Sequence, residues 1–400
     1  MLHKIQKKFI SRIVLLSYML TFVGYMTLTL SMSTLSDVAN GIGLSLNSVQ
    51  MAMSLSFLMF SFSAIFLSTL SDVLTARKIL VFAQSISICG LLLLSVSLSE
   101  MFMYISFIMI GLGTGCYSSI SRSMISRNTT SNTQMKKSFA VLSISIIIAP
   151  LASTYLFLIV NKISWRLVYV AMALIEIILF VYSRPILKSD QKRHHTIKIY
   201  QILSNFKGSL SQPMYVLNVV VVAVLFSLYL GVLVASLKNI LTMQPNVVNG
   251  FEYSIIILGL SLLYILGVFT YRYNAAISHT LKFQIPFIIL LFIAALAYSV
   301  FKVDTISTVI CMYVICYCIG LITPLSTGMA MSVIKHGHGV AAAMLTFSVT
   351  FMMSIWWLIK ANSTLSEYGF VVVAIWATFV VLILARVMLF FYTHKSTQTR

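Results

Sequence analysis

Long apolar stretches alternate with short polar connections along the whole chain. Most of these apolar stretches have a length close to about 20 residues, which is what a helix needs to cross the hydrocarbon core of a bilayer. A transmembrane barrel would instead show segments of about 10 residues with alternating polarity. Backbone groups in hydrocarbon must also find their hydrogen bonds within the segment, which favours helices. The pattern predicts twelve transmembrane helices, at residues 12–33, 47–69, 79–98, 101–121, 138–160, 166–183, 214–236, 251–271, 281–301, 305–332, 339–360 and 367–391.

The longest polar connection lies near the middle of the chain and is rich in Lys, Arg and His. It predicts an N-terminal six-helix half at residues 1–183, a basic cytoplasmic linker at 184–213 and a C-terminal six-helix half at 214–400. Two halves with matching hydropathy are typical of secondary transporters.

Composition supports a membrane protein. Hydrophobic residues make up 60% of the chain and charged residues 9%, whereas an average soluble domain has about 25% charged residues. The predicted fold class is therefore an all-α integral membrane protein with the lipid bilayer as its solvent. The five cysteines fall inside apolar stretches, so we expect them to be packing residues and predict neither disulfides nor a metal site.

The net charge of +19 does not indicate nucleic-acid binding, because the basic residues lie at the ends of apolar stretches rather than on one soluble face. Of the 27 Lys and Arg, all but five fall on one side of the predicted topology, the exceptions being Lys162, Arg166, Lys238, Lys302 and Lys360. Since positive charge stays cytoplasmic, both termini and the linker are predicted to be cytoplasmic.

One charged turn, Ser68–Leu80, lies between the second and third apolar stretches. Its sequence resembles the helix 2–3 loop signature of the major facilitator superfamily at four positions: Leu70, Asp72, Arg77 and Leu80. Residues 30–81, 121–128 and 339–344 are similar, within that superfamily, to drug/proton antiporters of the bicyclomycin and chloramphenicol-resistance type. The resemblance implies the major facilitator fold.

The resemblance also implies roles for four charged residues. Asp72, supported by Arg77, is expected to contact the start of helix 11 as a conformational latch, since helix N-terminal amides stabilise a carboxylate. The alternative is a solvated loop charge. Arg122 and Arg127 match the family's motif in the loop between helices 4 and 5. For both arginines the alternative is an anchor of membrane topology.

Proton coupling needs separate evidence, because Phe107 and Ile110 replace the arginine and glutamine that the family usually carries in helix 4. Glu176 supplies a candidate, since it lies in the middle of the sixth apolar stretch. A charge at the bilayer centre costs at least about 2.5–3.5 kcal/mol, so a retained carboxyl is a candidate for proton or substrate coupling. The alternative is a carboxyl that stays protonated and has no function.

The superfamily lines its central cavity chiefly with helices 1, 4, 7 and 10, and the resemblance extends this to the present chain. Aromatic and hydroxyl side chains there would suit an amphipathic or cationic molecule, although packing or interfacial roles are the alternative for each one. The candidates are Tyr18, Thr21, Tyr25, Tyr117, Asn218, Tyr229 and Tyr313.

The sequence thus predicts a secondary transporter that exports drug-like or amphipathic small molecules in exchange for protons. The alternatives are a metabolite or siderophore carrier with altered coupling and, more remotely, a lipid-modifying enzyme. No phosphate-binding loop of the G-x-x-x-x-G-K-[ST] type supports a primary pump, and scattered acids argue against an enzyme. We expect no cofactor beyond a proton gradient as driving force, a monomer, and a bacterial plasma (inner) membrane location.

Overall fold

The computed structural model describes residues 2–128, 132–190, 199–242, 250–273, 281–300, 305–334 and 338–398. Regular structure in these ranges is helical throughout. The helices are α1 (Leu2–Ser33), α2 (Leu35–Ile42), α3 (Leu46–Val73), α4 (Ala76–Ser95), α5 (Glu100–Thr114), α6 (Cys116–Asn128), α7 (Asn132–Val160), α8 (Trp165–Asp190), α9 (Ile199–Leu210), α10 (Pro213–Ser227), α11 (Ala235–Thr242), α12 (Gly250–Tyr273), α13 (Leu281–Val300), α14 (Thr305–Ser332), α15 (His338–Asn362) and α16 (Glu367–Gln398).

Ten apolar spans in the described ranges are long enough to cross a bilayer. Two shorter apolar segments, Ile255–Tyr271 and Gln284–Val300, coincide with the eighth and ninth predicted helices. Every predicted apolar stretch therefore coincides with helical structure, and the all-α multi-span fold class is confirmed. The cytoplasmic location of both termini stays a prediction.

The segment predicted as a linker contains more helix than its polarity indicates. Helix α8 continues beyond the apolar stretch to Asp190, and α9 occupies Ile199–Leu210. Of the described residues of α9, Ser209 is buried while Tyr200 and Leu210 are exposed.

Two membrane spans are not uniform α-helices. The span Glu100–Ile125 is interrupted at Gly115, between α5 and α6. The span Pro213–Leu237 contains a π-helical segment, Leu228–Val234, between α10 and α11. Such π segments are frequent at functional sites of membrane and soluble proteins, and this one carries Tyr229.

By packing, the chain divides into two units. Unit 1 contains Met1–Ser204 and Ala342–Ala361, and unit 2 contains Asn205–Ala341 and Asn362–Arg400. In unit 1, α4 packs against α5 and α8, and α1 packs against α7. In unit 2, α14 packs against α10, α12 and α13. Most of α15 therefore groups with helices that precede the linker, and the predicted division into two six-helix halves stays a prediction.

A pair of serines attaches α15 to α3 within unit 1. The hydroxyl of Ser54 donates to the backbone carbonyl of Ser354 at 2.9 Å, and the hydroxyl of Ser354 donates to the carbonyl of Ser54 at 2.9 Å. The two hydroxyl oxygens are 3.2 Å apart. Both side chains are buried, so the small serines allow two helix backbones to approach and hydrogen-bond each other.

Candidate functional site

Glu176 lies on the inward face of α8 and is fully buried, with 0% of its side chain exposed. Leu174 and Ile178 lie two residues before and after Glu176 and are 55% and 68% exposed. The apolar face of α8 is therefore turned outward, where lipid would contact it, and the carboxyl is turned into unit 1. This orientation matches the expectation that an intramembrane carboxyl faces the bundle interior.

Three hydroxyl groups from three other helices surround the carboxyl. Oε1 of Glu176 accepts hydrogen bonds from Ser87 Oγ of α4 at 3.2 Å and from Thr27 Oγ1 of α1 at 3.4 Å. Oε2 accepts a hydrogen bond from the Tyr117 hydroxyl of α6 at 3.1 Å. We call Glu176, Thr27, Ser87 and Tyr117 the Glu176 cluster. All four side chains are buried.

The composition of the Glu176 cluster suits two protonation states. A hydroxyl can donate to an ionised carboxylate and can also accept from a protonated carboxyl, because it carries both a proton and lone pairs. The titratable neighbours of Glu176 are the weak acids Tyr117 and Cys116. Within the described residues no basic side chain contacts the carboxyl. The site therefore lacks the fixed counter-charge that would hold Glu176 permanently ionised.

A glycine of α5 allows close packing against α4 beside Ser87, one of the three hydroxyl donors. A Cβ atom added to Gly113 of α5 would lie 2.6 Å from the backbone nitrogen of Ser87 and 2.7 Å from the carbonyl oxygen of Ala83. Real Cβ contacts are essentially never that short. The missing side chain at Gly113 thus permits the close approach of two helix backbones and positions one of the three hydroxyl donors.

A second buried polar group lies in unit 2, around Arg386 of α16. Nη1 of Arg386 donates to Oδ1 of Asn218 on α10 at 3.1 Å, and Nη2 donates to Oγ of Ser326 on α14 at 2.6 Å. Nε of Arg386 is buried and has no hydrogen-bond partner in the part of the chain that the structure describes. We call Arg386, Asn218 and Ser326 the Arg386 cluster.

Unit 2 also contains a group of three aromatic rings beside the π-helical segment, of which the two tyrosines are buried. The rings of Tyr229 and Tyr264 are 4.8 Å apart at their centroids, and Phe226 meets both rings edge-on. The Tyr229 hydroxyl lies 3.4 Å from Oγ of Ser261, and the Tyr264 hydroxyl donates to Oγ1 of Thr323 at 3.3 Å. Tyr229, a predicted cavity residue, therefore lies in a cluster of aromatic rings, and its substrate role stays a prediction.

The structure describes the side chains of Arg122 and Arg77, two of the four charged residues of the loop signatures. Arg122 donates through Nη1 to Oγ1 of Thr346 on α15 at 2.6 Å, with a longer contact of 3.5 Å to the carbonyl of Ala342. Arg77 is the second residue of α4 and is partly exposed. The side chains of Asp72 and Arg127 lie outside the described part of the structure, so the predicted latch contact of Asp72 stays a prediction.

The remaining predicted cavity residues are dispersed among local contacts. Tyr18 is partly exposed, and Thr21 is buried with an unpartnered hydroxyl. Tyr25 is buried and packs on Phe60 with ring centroids 5.6 Å apart. Tyr313 is partly exposed and lies against Gly259. A substrate role for these side chains stays a prediction.

The structure brings together residues that sequence reasoning singled out separately, and it adds others. Tyr117 joins Glu176, and Asn218 joins Arg386. Thr27, Ser87 and Arg386 were not predicted as site residues. Serine and threonine are too common in this chain to be singled out, but Arg386 is a cation inside an apolar stretch, and that signal was available.

The sequence matches the profile of the Major Facilitator Superfamily over residues 15–359. Because this match covers most of the chain, the protein belongs to the Major Facilitator Superfamily. It is therefore a multi-pass membrane protein and a secondary transporter of small molecules, not an enzyme. The predicted superfamily and its fold are confirmed, whereas the drug-resistance subtype is not established by this match.

Comparison with solved structures gives the same fold. The chain is similar to a POT family transporter whose crystal structure contains 5-aminolevulinic acid, with a TM-score of 0.68 and 14% sequence identity. The similarity covers 94% of this chain and 95% of that transporter. At this identity the likeness establishes the fold alone. No curated protein sequence matches the chain.

Proposed function

We propose that the protein exports drug-like or amphipathic small molecules in exchange for protons, and that Glu176 is the group that carries the proton. The observation that supports this proposal is the Glu176 cluster: a fully buried carboxyl whose two oxygens, among the described residues, accept hydrogen bonds from hydroxyl groups alone. Membership of a secondary transporter family supplies the framework of alternating access around a central region.

The proposed proton step is a simple transfer at one carboxyl oxygen. In one conformation Glu176 takes up a proton and becomes a neutral carboxylic acid, and in the other it releases that proton to the opposite side. The hydroxyls of Thr27, Ser87 and Tyr117 can reorient at each change, donating to the carboxylate or accepting from the acid. Because these donors come from α1, α4 and α6, a change in helix packing would alter the environment of the carboxyl.

The proposed cargo is amphipathic because the spans carry many aromatic side chains and few charges. The aromatic group of Phe226, Tyr229 and Tyr264 lies beside a π-helical segment, a type of irregularity that is frequent at functional sites. Aromatic walls with a few polar groups are typical of small-molecule sites. Export across a bacterial plasma membrane remains the predicted direction and location.

One observation favours the alternative of a metabolite carrier. The Arg386 cluster places a positive charge inside unit 2 that no carboxylate of the described residues contacts, and such a charge suits an acidic metabolite. The similar POT family transporter was crystallised with 5-aminolevulinic acid, itself a small carboxylic acid. A transporter of amphipathic carboxylates would be consistent with both the proposed export function and the alternative of a metabolite carrier.

The test is transport by purified protein in liposomes, with ethidium and a panel of amphipathic anions and neutral molecules as probes. We expect a proton gradient to drive accumulation by the unmodified protein. Glu176→Gln should abolish gradient-driven accumulation yet retain exchange of labelled for unlabelled cargo, because the amide keeps the shape but does not titrate. Glu100→Gln makes the same chemical change at an exposed position and should behave like the unmodified protein. Gradient-driven transport that survives Glu176→Gln unchanged would reject Glu176 as the proton carrier.

A further inference from the structure

Arg386 is a buried cation that the proposed proton step does not use. Only 9% of its side chain is exposed, although it lies within the apolar span Glu367–Tyr392. Its guanidinium reaches from α16 to both α10 and α14. A cation at the end of a span usually extends to the water interface, and Arg386 is turned inward instead.

The partners of Arg386 are neutral and are held in place by their own helices. Asn218 donates from Nδ2 to the carbonyl of Met214 at 2.8 Å, and Ser326 donates to the carbonyl of Ile322 at 2.8 Å. Each therefore presents an oxygen to the guanidinium in a fixed position. Neither carries a negative charge, and within the described residues no carboxylate contacts Arg386.

The positive charge and one donor of Arg386 thus remain uncompensated. Taking a charge out of water is expensive unless an opposite charge and hydrogen bonds replace the water. The Arg386 cluster supplies two neutral acceptors, and Nε remains buried without a partner. In the Glu176 cluster, by contrast, both carboxyl oxygens are hydrogen-bonded.

We infer that the Arg386 cluster is a binding site for the anionic group of the cargo, a carboxylate. Nε and an adjacent terminal N–H of a guanidinium form the fork that binds a carboxylate through two parallel hydrogen bonds. Asn218 and Ser326 occupy the terminal nitrogens and fix the plane of the fork. This inference rests on the proposed transport function and deepens it, since it names amphipathic carboxylates as the substrate class.

The Arg386 cluster lies at a shallow depth below the ends of its helices, which suits entry of an anion from one membrane surface. Asn218 is five residues from Pro213, and Ser326 and Arg386 are each six residues from the ends of their spans, Ser332 and Tyr392. At 1.5 Å per residue the cluster lies about 8–9 Å inside the ends of the helices. An anionic group reaches this depth without crossing the apolar middle of the bundle.

The test is binding of matched ligand pairs to the full-length protein in nanodiscs of neutral phosphatidylcholine. The probes are a series of aromatic carboxylates, such as dansylglycine and benzoate, each paired with its primary amide. We expect the carboxylates to bind in preference to the amides. Arg386→Gln should weaken carboxylate binding by about tenfold or more, as expected for a charge-assisted pair, and leave amide binding unchanged. Arg166→Gln, at a partly buried arginine of unit 1 that donates to the carbonyl of Ser97, should have no effect.

The Asn218→Asp variant distinguishes two roles of Arg386: binding of a carboxylate, and a structural brace that only holds helices together. The aspartate is isosteric with asparagine and would supply a carboxylate to the guanidinium, so the protein should fold and the brace should be kept. As a competing internal anion it should nevertheless abolish the preference for carboxylates. If Asn218→Asp and Arg386→Gln both bind carboxylates as the unmodified protein does, Arg386 is a brace and the inference is wrong.

The same experiment distinguishes a transported carboxylate from a lipid headgroup or free phosphate. Addition of phosphatidylglycerol to the nanodiscs, or of inorganic phosphate to the solution, should not displace dansylglycine if the site is built for cargo. Displacement by the lipid, or equal binding of acids and amides, contradicts the inference. The proposed proton-coupled function is tested separately. If gradient-driven transport is lost in Glu176→Gln, that function stands even where the carboxylate-binding inference fails.

Discussion

Tyr117 donates a hydrogen bond to Oε2 of Glu176 over 3.1 Å, although the two residues are 59 positions apart in the chain. The bond connects α6 to α8, and both side chains are fully buried. Since Ser87 and Thr27 bond the other carboxyl oxygen, four helices meet at one titratable group. The proposed proton coupling through Glu176 depends on this convergence of helices.

Tyr117→Phe should weaken proton-coupled transport without abolishing it. The change removes the donor to Oε2 and leaves the two donors to Oε1 in place. We expect gradient-driven transport to fall roughly twofold to tenfold, matching the 0.5–1.5 kcal/mol of one hydrogen bond. The measurement is initial flux in liposomes. Tyr155→Phe alters an exposed tyrosine and serves as the control; equal flux in both variants would show that Tyr117 has no part in coupling.

Gly113→Ala should disturb the Glu176 cluster from a distance. The added methyl group would approach the backbone of Ser87 and Ala83, and backbone atoms cannot move aside as a flexible side chain can. Overpacking of this kind costs about 1–3 kcal/mol, which thermal unfolding in detergent would detect. Gly208→Ala is the matched control, since none of the described residues lies within 4 Å of its added Cβ. A Gly113→Ala protein as stable as the control would mean that the helices can separate freely.

Cysteines at Ser54 and Ser354 should form a disulfide under mild oxidation. The hydroxyl oxygens are 3.2 Å apart, close enough for a bond after small adjustment. Because transporters of this kind work by relative movement of helices, the crosslink should stop transport, and a reductant should restore it. Cys89 is exposed and should be replaced by serine in the background. Full transport by the crosslinked protein would show that α3 and α15 stay together throughout the cycle.

Thr346→Val should destabilise the contact between Arg122 and α15. The hydroxyl of Thr346 accepts the shorter of the two hydrogen bonds that Arg122 donates to α15, at 2.6 Å. Hydrogen bonds to charged groups contribute about 1.5–3 kcal/mol, so the free energy of unfolding should fall by an amount of this order. Thr350→Val is the control, one turn further along the helix, where the hydroxyl donates to the backbone carbonyls of Thr346 and Phe347 of its own helix. Equal stability of the two variants would assign Arg122 no role in holding α15.

The sequence predicted Glu176 but not its surroundings, for a physical reason. An acid in an apolar stretch stands out because burying it is costly. Its partners, however, are hydroxyls 149, 89 and 59 residues away, and Ser and Thr satisfy themselves by bonding their own helix backbone at many positions. Thr27 does both, donating also to the carbonyl of Val23. Only the packing of four helices selects which hydroxyls meet the carboxyl.

Arg386 shows a different case, in which the sequence pattern allows two orientations of one side chain. Its place near the end of an apolar stretch is typical of a topological charge, because long basic side chains extend to the interface. The sequence cannot tell whether such a side chain turns outward or inward. The structure turns it inward, to Asn218 and Ser326. The apolar stretches themselves were predicted well, since hydrocarbon imposes length and helicity on any span.

The most direct test of the central claim is the protonation of Glu176 followed by infrared difference spectroscopy over a pH titration of the purified protein. We expect a carboxylic acid C=O band that disappears as the pH rises, that is absent from Glu176→Gln and that persists in Glu100→Gln. Such a result would identify Glu176 as a group that takes up and releases a proton in place. A spectrum in which no pH-dependent carboxyl band depends on Glu176 would contradict the claim that this residue couples transport to protons.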